Sequence, residues 1–274
     1  MKKERVLITV KTYPTLSSTY GELVCTAGIR ESDLSWVRIY PMPFRSLKEQ
    51  FKYSKYQWVN LELVKNGNDG RLESYRPINI HEMVLEEKIP AGPEGWRKRA
   101  HFILNPKHLY TSKNSLLKDT RAGTRSIAVF KPSEFLKCTC VADSREWPEE
   151  KLEHCRSMLI QPGLFDADYI KETLPVRKIP YKFKIEFLDI DGIKSNLMIE
   201  DWEICQLYWN CIKSSDSEED ACKKVIQKLE SLIQNTDLHL ILGTTKLWHR
   251  RGMNPYLVIG LYYPPKPKPN PLGL

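Results

Sequence analysis

No stretch of this 274-residue chain approaches the run of about 20 apolar residues needed to cross a bilayer. Its opening, Met1 to Pro14, has an apolar run too short for a signal-peptide core. No membrane partner is expected, and a cytoplasmic protein is. Seven cysteines, an odd number, suggest no disulfide framework, so reduced thiols are the default. Cys138, Cys140, His154 and Cys155 invite a zinc reading. A C-x-C followed fourteen residues later by adjacent His-Cys matches no usual ligand spacing, however. Structural thiols are the better reading, and neither metal nor other cofactor is expected. Internal repeats are not evident. Acids are in short supply, 34 against 42 lysines and arginines, and the net charge of +8 points toward a polyanionic partner.

That charge is concentrated. From Trp96 to Arg125 stand eight basic side chains, Arg97, Lys98, Arg99, Lys107, Lys113, Lys118, Arg121 and Arg125, against the single acid Asp119. The segment holds nearly all of the excess, and a concentrated field steers and holds a polyanion. Trp96, His101, Phe102, His108 and Tyr110 lie among the cations. Rings so placed can stack on unpaired or extruded bases while the cations hold phosphates. DNA is therefore the partner to consider first; the competing reading is a solvated basic helix face followed by a loop.

The elements read as α+β, with 41% hydrophobic residues, enough for a core. Val6 to Val10, Glu22 to Ile29, Trp36 to Tyr40 and Trp58 to Val64 are short runs rich in β-branched and aromatic residues. Turn formers such as Pro14, Ser17, Ser18 and Asn66 to Gly70 separate them. A curled sheet or small barrel would satisfy these runs. Helical spacing appears at Glu94 to Lys107 and Trp147 to Ile160, with strands at Ile127 to Phe130 and Phe135 to Val141. A hairpin of Lys182 to Leu188 and Ser195 to Ile199 turns about Asp189 to Gly192. Helices follow at about 200–213 and 217–235, then a strand Leu238 to Leu242, a long turn and a last strand Tyr256 to Tyr263. The expected division is a β-rich part at 1–175, an α+β part at 176–263 and a proline-rich tail at 264–274, with Leu174 to Pro180 as the boundary. The first two could also form one integrated domain. The tail cannot pair as a central strand and should be extended and mobile.

Three stretches carry chemistry. Two strands end in proline-bearing loops that present Lys11, Tyr13, Tyr20, Arg38, Tyr40 and Arg45. Proline limits loop freedom, so less ordering entropy is lost when a phosphate or sugar docks. The alternative is that the rings are core and the cations solvated. In Ile199 to Cys211, helical spacing puts Asp201, Cys205 and Tyr208 on one stripe and Glu203, Leu207 and Asn210 on another. An acid in a first helical turn is most often a cap. Yet Asp201 and Glu203 are bracketed by Trp202, Tyr208 and Trp209, and a carboxylate enclosed by rings can become a proton acceptor or stabilise a cation. The third stretch, Leu242 to Pro255, joins two apolar strands with a loop holding two hydroxyls, His249, Lys246, Arg250 and Arg251. Phosphate clamping ranks ahead of catalysis there.

The stretches KTYPTLSSTYGELVCTAGIR, WVRIYPMPFR, IEDWEICQLYWNC and HLILGTTKLWHRRGMNPYLVIGLYYPP cover much of the chain. They resemble an uncharacterised bacterial family that includes an anti-phage DNA glycosylase excising glucosylated hydroxymethylcytosine. The resemblance implies modified phage DNA as substrate, N-glycosidic hydrolysis as reaction and an abasic site as product; it assigns no residues. The usual glycosylase signatures are missing. There is no GQDPYH-like water-activating motif and no helix-hairpin-helix ending in L-P-G-hydrophobic-G, which puts the familiar glycosylase folds in doubt.

Breaking a base from deoxyribose develops positive charge on the sugar and negative charge on the base, so a carboxylate is needed near C1′ and donors near the base. Asp201, with Glu203 as fallback, could supply the first and His249 or Arg250 the second. Aromatic side chains could sandwich a flipped nucleotide, and Tyr13, Tyr20, Tyr40 and Arg45 could house a glucose. Arg97, Lys98, Arg99, Arg121 and Arg125, with Lys11, Arg38, Lys246 and Arg251, would hold the nucleic acid. The rival is a non-catalytic PUA-like reader of modified DNA or RNA bases, which needs the same surface but no acid. A nuclease is disfavoured, since no D-x-n-E-x-K constellation stands out on successive strands.

Overall fold

The chain is α+β, as its patterning predicts, in the computed structural model, which describes residues 3–17, 21–160 and 175–266. Its first strand shows how the layers arise. β1 (Glu4–Lys11) reads ERVLITVK, a largely β-branched string that buries Val6, Leu7, Ile8 and Val10. Val6 and Ile8 join one cluster with Val37, Ile39, Met42 and Val59, while Leu7 and Val10 join another with Ile127, Val129, Ile241 and Tyr262. Leu7 and Val10 stand three apart and could not share a face of a regular strand. A bulge between Ile8 and Val10 shifts the register and lets them do so.

The next strands are β2 (Thr15–Ser17), β3 (Gly21–Leu23), β4 (Thr26–Arg30), β5 (Trp36–Ile39), β6 (Gln57–Leu61), β7 (Leu63–Lys65), β8 (Ser74–Pro77) and β9 (Val84–Lys88). β2 and β3 pair as a separate hairpin; the others form a curled seven-stranded sheet ordered β7-β8-β5-β4-β1-β6-β9. Only Glu62 separates β6 from β7, yet four strands stand between them in that order, so the sheet has to curl back on itself. The run Trp58 to Val64, expected as one strand, is broken for this reason. The expected strand Glu22 to Ile29 is broken too. At Val24 and Cys25 the chain leaves the small hairpin, with Val24 N donating to Met42 O and Cys25 O accepting from Thr12 N, both at 3.0 Å.

The remaining elements are α1 (Pro93–Ile103), β10 (Leu109–Tyr110), α2 (Lys113–Ala122), β11 (Ile127–Phe130), β12 (Glu134–Ala142), α3 (Glu149–Ile160), β13 (Tyr181–Leu188), β14 (Lys194–Met198), α4 (Trp202–Ile212), α5 (Glu218–Asn235), β15 (His239–Thr244) and β16 (Tyr256–Tyr262). Spacing predicts no helix at α2, because only Leu116, Leu117 and Thr120 of its ten residues are buried. Its ends are nonetheless well marked. Ser112 accepts from Ser115 N, and Gly123 takes the left-handed conformation at φ 77°.

β10-β11-β15-β16 make a four-stranded sheet and β12-β13-β14 a three-stranded one. Helices α4 and α5 close the largest core cluster, in which Tyr208, Val225 and Leu229 meet Phe183, Ile185, Leu240 and Val258. The expected boundary at 174–180 begins outside the described residues, and β12 and β13, on either side of it, pair with each other. Of the tail, Pro264 O accepts from Asp237 N at 2.8 Å and Pro265 bridges Thr236; residues 267–274 lie outside the described residues. Among those described, no helix is long and apolar enough to cross a membrane. Cys140 lies beside Cys222 rather than near Cys155, which packs on Leu16 and Val176.

Candidate functional site

A cleft opens where β15 ends against the turn that precedes β8. The turn is built on a buried ion pair. Asp69 accepts from Arg71 Nε at 2.9 Å and Nη2 at 2.6 Å, and from Ser74 Oγ at 2.7 Å. Burial works to raise the Asp69 carboxyl, but Arg71 and Ser74 outweigh it and hold the pKa near 2. Arg71 also donates from Nη1 to Thr244 O at 2.6 Å, tying the turn to the end of β15. Beneath them Glu73 accepts from Ser126 N at 2.9 Å and Oγ at 2.6 Å. Arg38, 3% exposed, donates to Ser126 O at 3.4 Å and to Cys25 Sγ at 3.1 Å. Its Nε is buried with no hydrogen-bond partner among the described residues.

The inner cavity, about 250 Å³, is lined by Arg38, Tyr40, Asn66, Asn68, Glu200 and Thr245 among others. It shares Asp69, Arg71 and Lys246 with a more open basin of about 550 Å³ that adds Leu247, His249, Arg250 and Arg251. His249 is buried, with Nδ1 3.0 Å from Thr244 Oγ1 and Nε2 without a hydrogen-bond partner among the described residues. Burial first, then the charge of Arg71, pushes its pKa down, so it is neutral at pH 7.

Glu200 is the unusual member of the lining. Its backbone is held on both sides, N donating to Val258 O and O accepting from Tyr13 N, each at 2.8 Å. Its carboxylate makes no hydrogen bond or ion pair to a described residue, and burial alone raises its pKa. The next residue shares the pKa raised by burial but, unlike Glu200, has polar partners. Asp201, 1% exposed, caps α4 by accepting from Glu203 N and Ile204 N, and lies 3.1 Å from Lys55 Nζ. Lys55 also reaches Glu203 Oε2 at 3.0 Å. Burial opposes the Lys55 charge, but Asp201 and its neighbours more than compensate and keep it protonated.

The other expected site residues divide between the cleft and the rest of the molecule. Arg38, Tyr40, Lys246, His249, Arg250 and Arg251 gather at the cleft. Lys11 lies outside it, with Nζ 4.2 Å from the Phe44 ring centre and 5.3 Å from that of Trp202; burial, foremost, lowers its pKa to about 8. Tyr13 donates to Arg177 O and accepts from Trp209 Nε1, and Arg45 pairs with Glu22 at 2.6 Å. Tyr20 lies outside the described residues. In the basic segment, Arg99 is buried over the Tyr56 ring and donates to Ile89 O at 2.6 Å. Arg125 is engaged with His108 Nδ1 and Lys107 O. Lys98 pairs with Glu94 on the surface of α1, where Arg97 is exposed, as Arg121 is on α2. Asp69, Arg71, Glu73 and the Asn66 and Asn68 side chains were not anticipated, since the stretch from Asn66 to Gly70 reads as ordinary turn chemistry.

Two family models share the chain. One, DUF8758, a domain of unknown function, matches residues 2–105; the other, DUF8757, also a domain of unknown function, matches residues 109–273. The second spans more than half of the chain, which therefore belongs to that family. The cleft draws on both, with Arg38, Tyr40 and Asn66 to Arg71 from the first region and Glu200 and Thr244 to Arg251 from the second. No curated protein matches the chain. Among solved structures, a murine DNA-binding protein bound to double-stranded DNA aligns over 98% of this chain and 99% of its own, at 10% identity and a TM-score of 0.32. That score supports no inference about fold or partner.

Proposed function

We propose that this chain binds DNA at the cleft and hydrolyses the N-glycosidic bond of a modified base, with Glu200 as the catalytic carboxylate. The observation that carries the reading is a carboxylate without a polar partner among the described residues, raised in pKa by burial, lining a cavity whose mouth bears Lys246, Arg250 and Arg251. A carboxylate raised toward neutrality is a better general base. In the proposed reaction a water attacks C1′ of the deoxyribose while the bond to the base breaks. Glu200 takes the water's proton and its charge stabilises the oxocarbenium character of the sugar. The departing base gains a proton from solvent or from a donor such as Lys246, and the Asn68 side chain, on a turn held by Asn66 through Tyr40 O and Asn68 N, offers hydrogen bonds to its edge. Asp201 and Glu203 hold Lys55 in this reading, and their charges serve the fold. Glucosylated hydroxymethylcytosine in phage DNA, and hence a role in antiviral defence, rests on the resemblance of the four stretches quoted above.

The test is incubation with plain and glucosylated-hydroxymethylcytosine duplexes, followed by alkali to cut at abasic sites. Cleavage of the modified strand alone, abolished by Glu200→Gln, is expected. Intact strands with DNA still bound would remove the enzyme and leave a reader of modified bases, because the polar cavity would suit a flipped base without any acid.

A further inference from the structure

The loop between β15 and β16 carries Leu247, Trp248 and Met253 at 66%, 54% and 90% exposure. Single exposed apolar residues are ordinary, but three large ones within one short loop form a surface made to be covered. The loop is also firmly based. His249 is buried under it, bonded to Thr244. Trp248 N donates to Thr245 Oγ1 at 3.3 Å, and Trp248 O accepts from Arg251 N at 3.2 Å and Gly252 N at 3.1 Å. The Arg250 guanidinium rests on Gly123, where a Cβ would come within 1.8 Å of Nη2. A cation at the C-terminal end of α2 is favoured by the helix dipole as well. The apolar tip is thus presented on a fixed base, Leu247 and Trp248 are flanked in sequence by Lys246 on one side and Arg250 and Arg251 on the other, and Leu247 itself lines the outer basin of the cleft.

We propose that this loop is a wedge for double-stranded nucleic acid. Trp248 and Leu247 enter a base step and unstack it, Arg250 and Arg251 hold the flanking phosphates, and the displaced nucleotide passes into the cleft. The choice of occupant rests on charge, since cations bracket the apolar tip on both sides, and on continuity with the cavity below. The wedge depends on the preceding reading of the cleft and adds strandedness to it, because only stacked, paired bases require prying apart.

The test uses a duplex in which 2-aminopurine, which brightens on unstacking, neighbours a glucosylated hydroxymethylcytosine, with Glu200→Gln protein so that the substrate stays whole. Binding should brighten the probe several-fold. Adding Leu247→Ala and Trp248→Ala, both at exposed sites that leave the core intact, should keep duplex affinity within about threefold while removing most of the fluorescence rise. Affinity for the same single strand should be unchanged. A full rise from the triple variant, or tight duplex binding without any rise in either protein, overturns the wedge while leaving DNA binding at the cleft in place. Failure of both proteins to bind any nucleic acid overturns both readings. Loss of binding to anionic phospholipid vesicles on the Leu247 and Trp248 changes, with no nucleic acid bound, would assign the tip to lipid and likewise overturn the wedge.

Discussion

Two carboxylates one residue apart, Glu200 and Asp201, occupy opposite circumstances. Asp201 is enclosed, caps a helix and answers the charge of Lys55; Glu200 lines a cavity and answers no charge among the described residues. Both precede the same helix and both are acids in a Glu-Asp-Trp-Glu string, so composition treats them alike. The pleat of an extended chain sends neighbouring side chains to opposite sides. That alternation is enough to make one acid part of the architecture and the other a candidate for chemistry.

The sharpest way to break the comparison is Asp201→Ala. It removes a cap and leaves Lys55 buried beside only the half-exposed Glu203, and stranding a buried charge costs about 3–5 kcal/mol. Urea unfolding should show a loss of that order, and a change below about 1 kcal/mol would mean that Asp201 is merely a cap.

Glu200→Gln should act the other way. Base release should fall by about 10²-fold or more, equivalent to about 2.7 kcal/mol in the barrier, with DNA affinity retained. The protein should also become more stable at pH 7. The Glu200 pKa is raised in the folded state, so ionisation above the unfolded value of about 4.3 works against folding. The gain from glutamine should therefore fade as pH falls through the raised folded value toward about 4.3. A destabilised Glu200→Gln would make the two acids equivalent after all.

His249 sharpens the comparison from within the cleft. Its pKa, like those of His108 and His239, is lowered chiefly by burial. The unfolded state then binds more protons than the folded one below about pH 6.5, so stability should be lost as pH falls from there toward the depressed native values. His249→Gln should make the fall shallower between pH 7 and 5, read by denaturant midpoints. An unaltered slope would place His249 in contact with solvent. The smallest effect belongs to the exposed cations. Arg97→Ala with Lys98→Ala should leave stability unchanged, and should reduce the salt dependence of DNA binding by about two phosphate equivalents only if α1 touches the backbone.

Much of the fold is legible in sequence because it depends on local period. β11, α4 and α5 fall where apolar spacing places them. What could not be read depends on distant partners. Nothing near Glu62 announces that β6 pairs with β1 while β7 pairs with β8. The same holds for the site. Lys246, His249, Arg250 and Arg251 stood out as polar residues between apolar strands, whereas Asp69, Arg71 and Glu73 looked like a solvated turn. Their burial comes from Ser126 and Thr244, far along the chain. Arg99 and Arg125 are as basic as their neighbours by composition, and only the Tyr56 ring, the Ile89 carbonyl and His108 reveal how much of that charge the fold itself absorbs.

β16 has a consequence for the order in which the molecule is made. It pairs with β15, and its Gly260 lies so close to β1 that a Cβ there would stand 3.2 Å from Val10 Cγ2. The first and last strands touch, and one wall of the cleft comes from residues after 243. A ribosome that has synthesised the seven-stranded sheet has made half a binding site. Contacts so distant in sequence form late and slowly. Whatever the cleft binds would therefore find no complete site until translation had passed β16, and a chain interrupted before that point would carry the basic segment without the cavity.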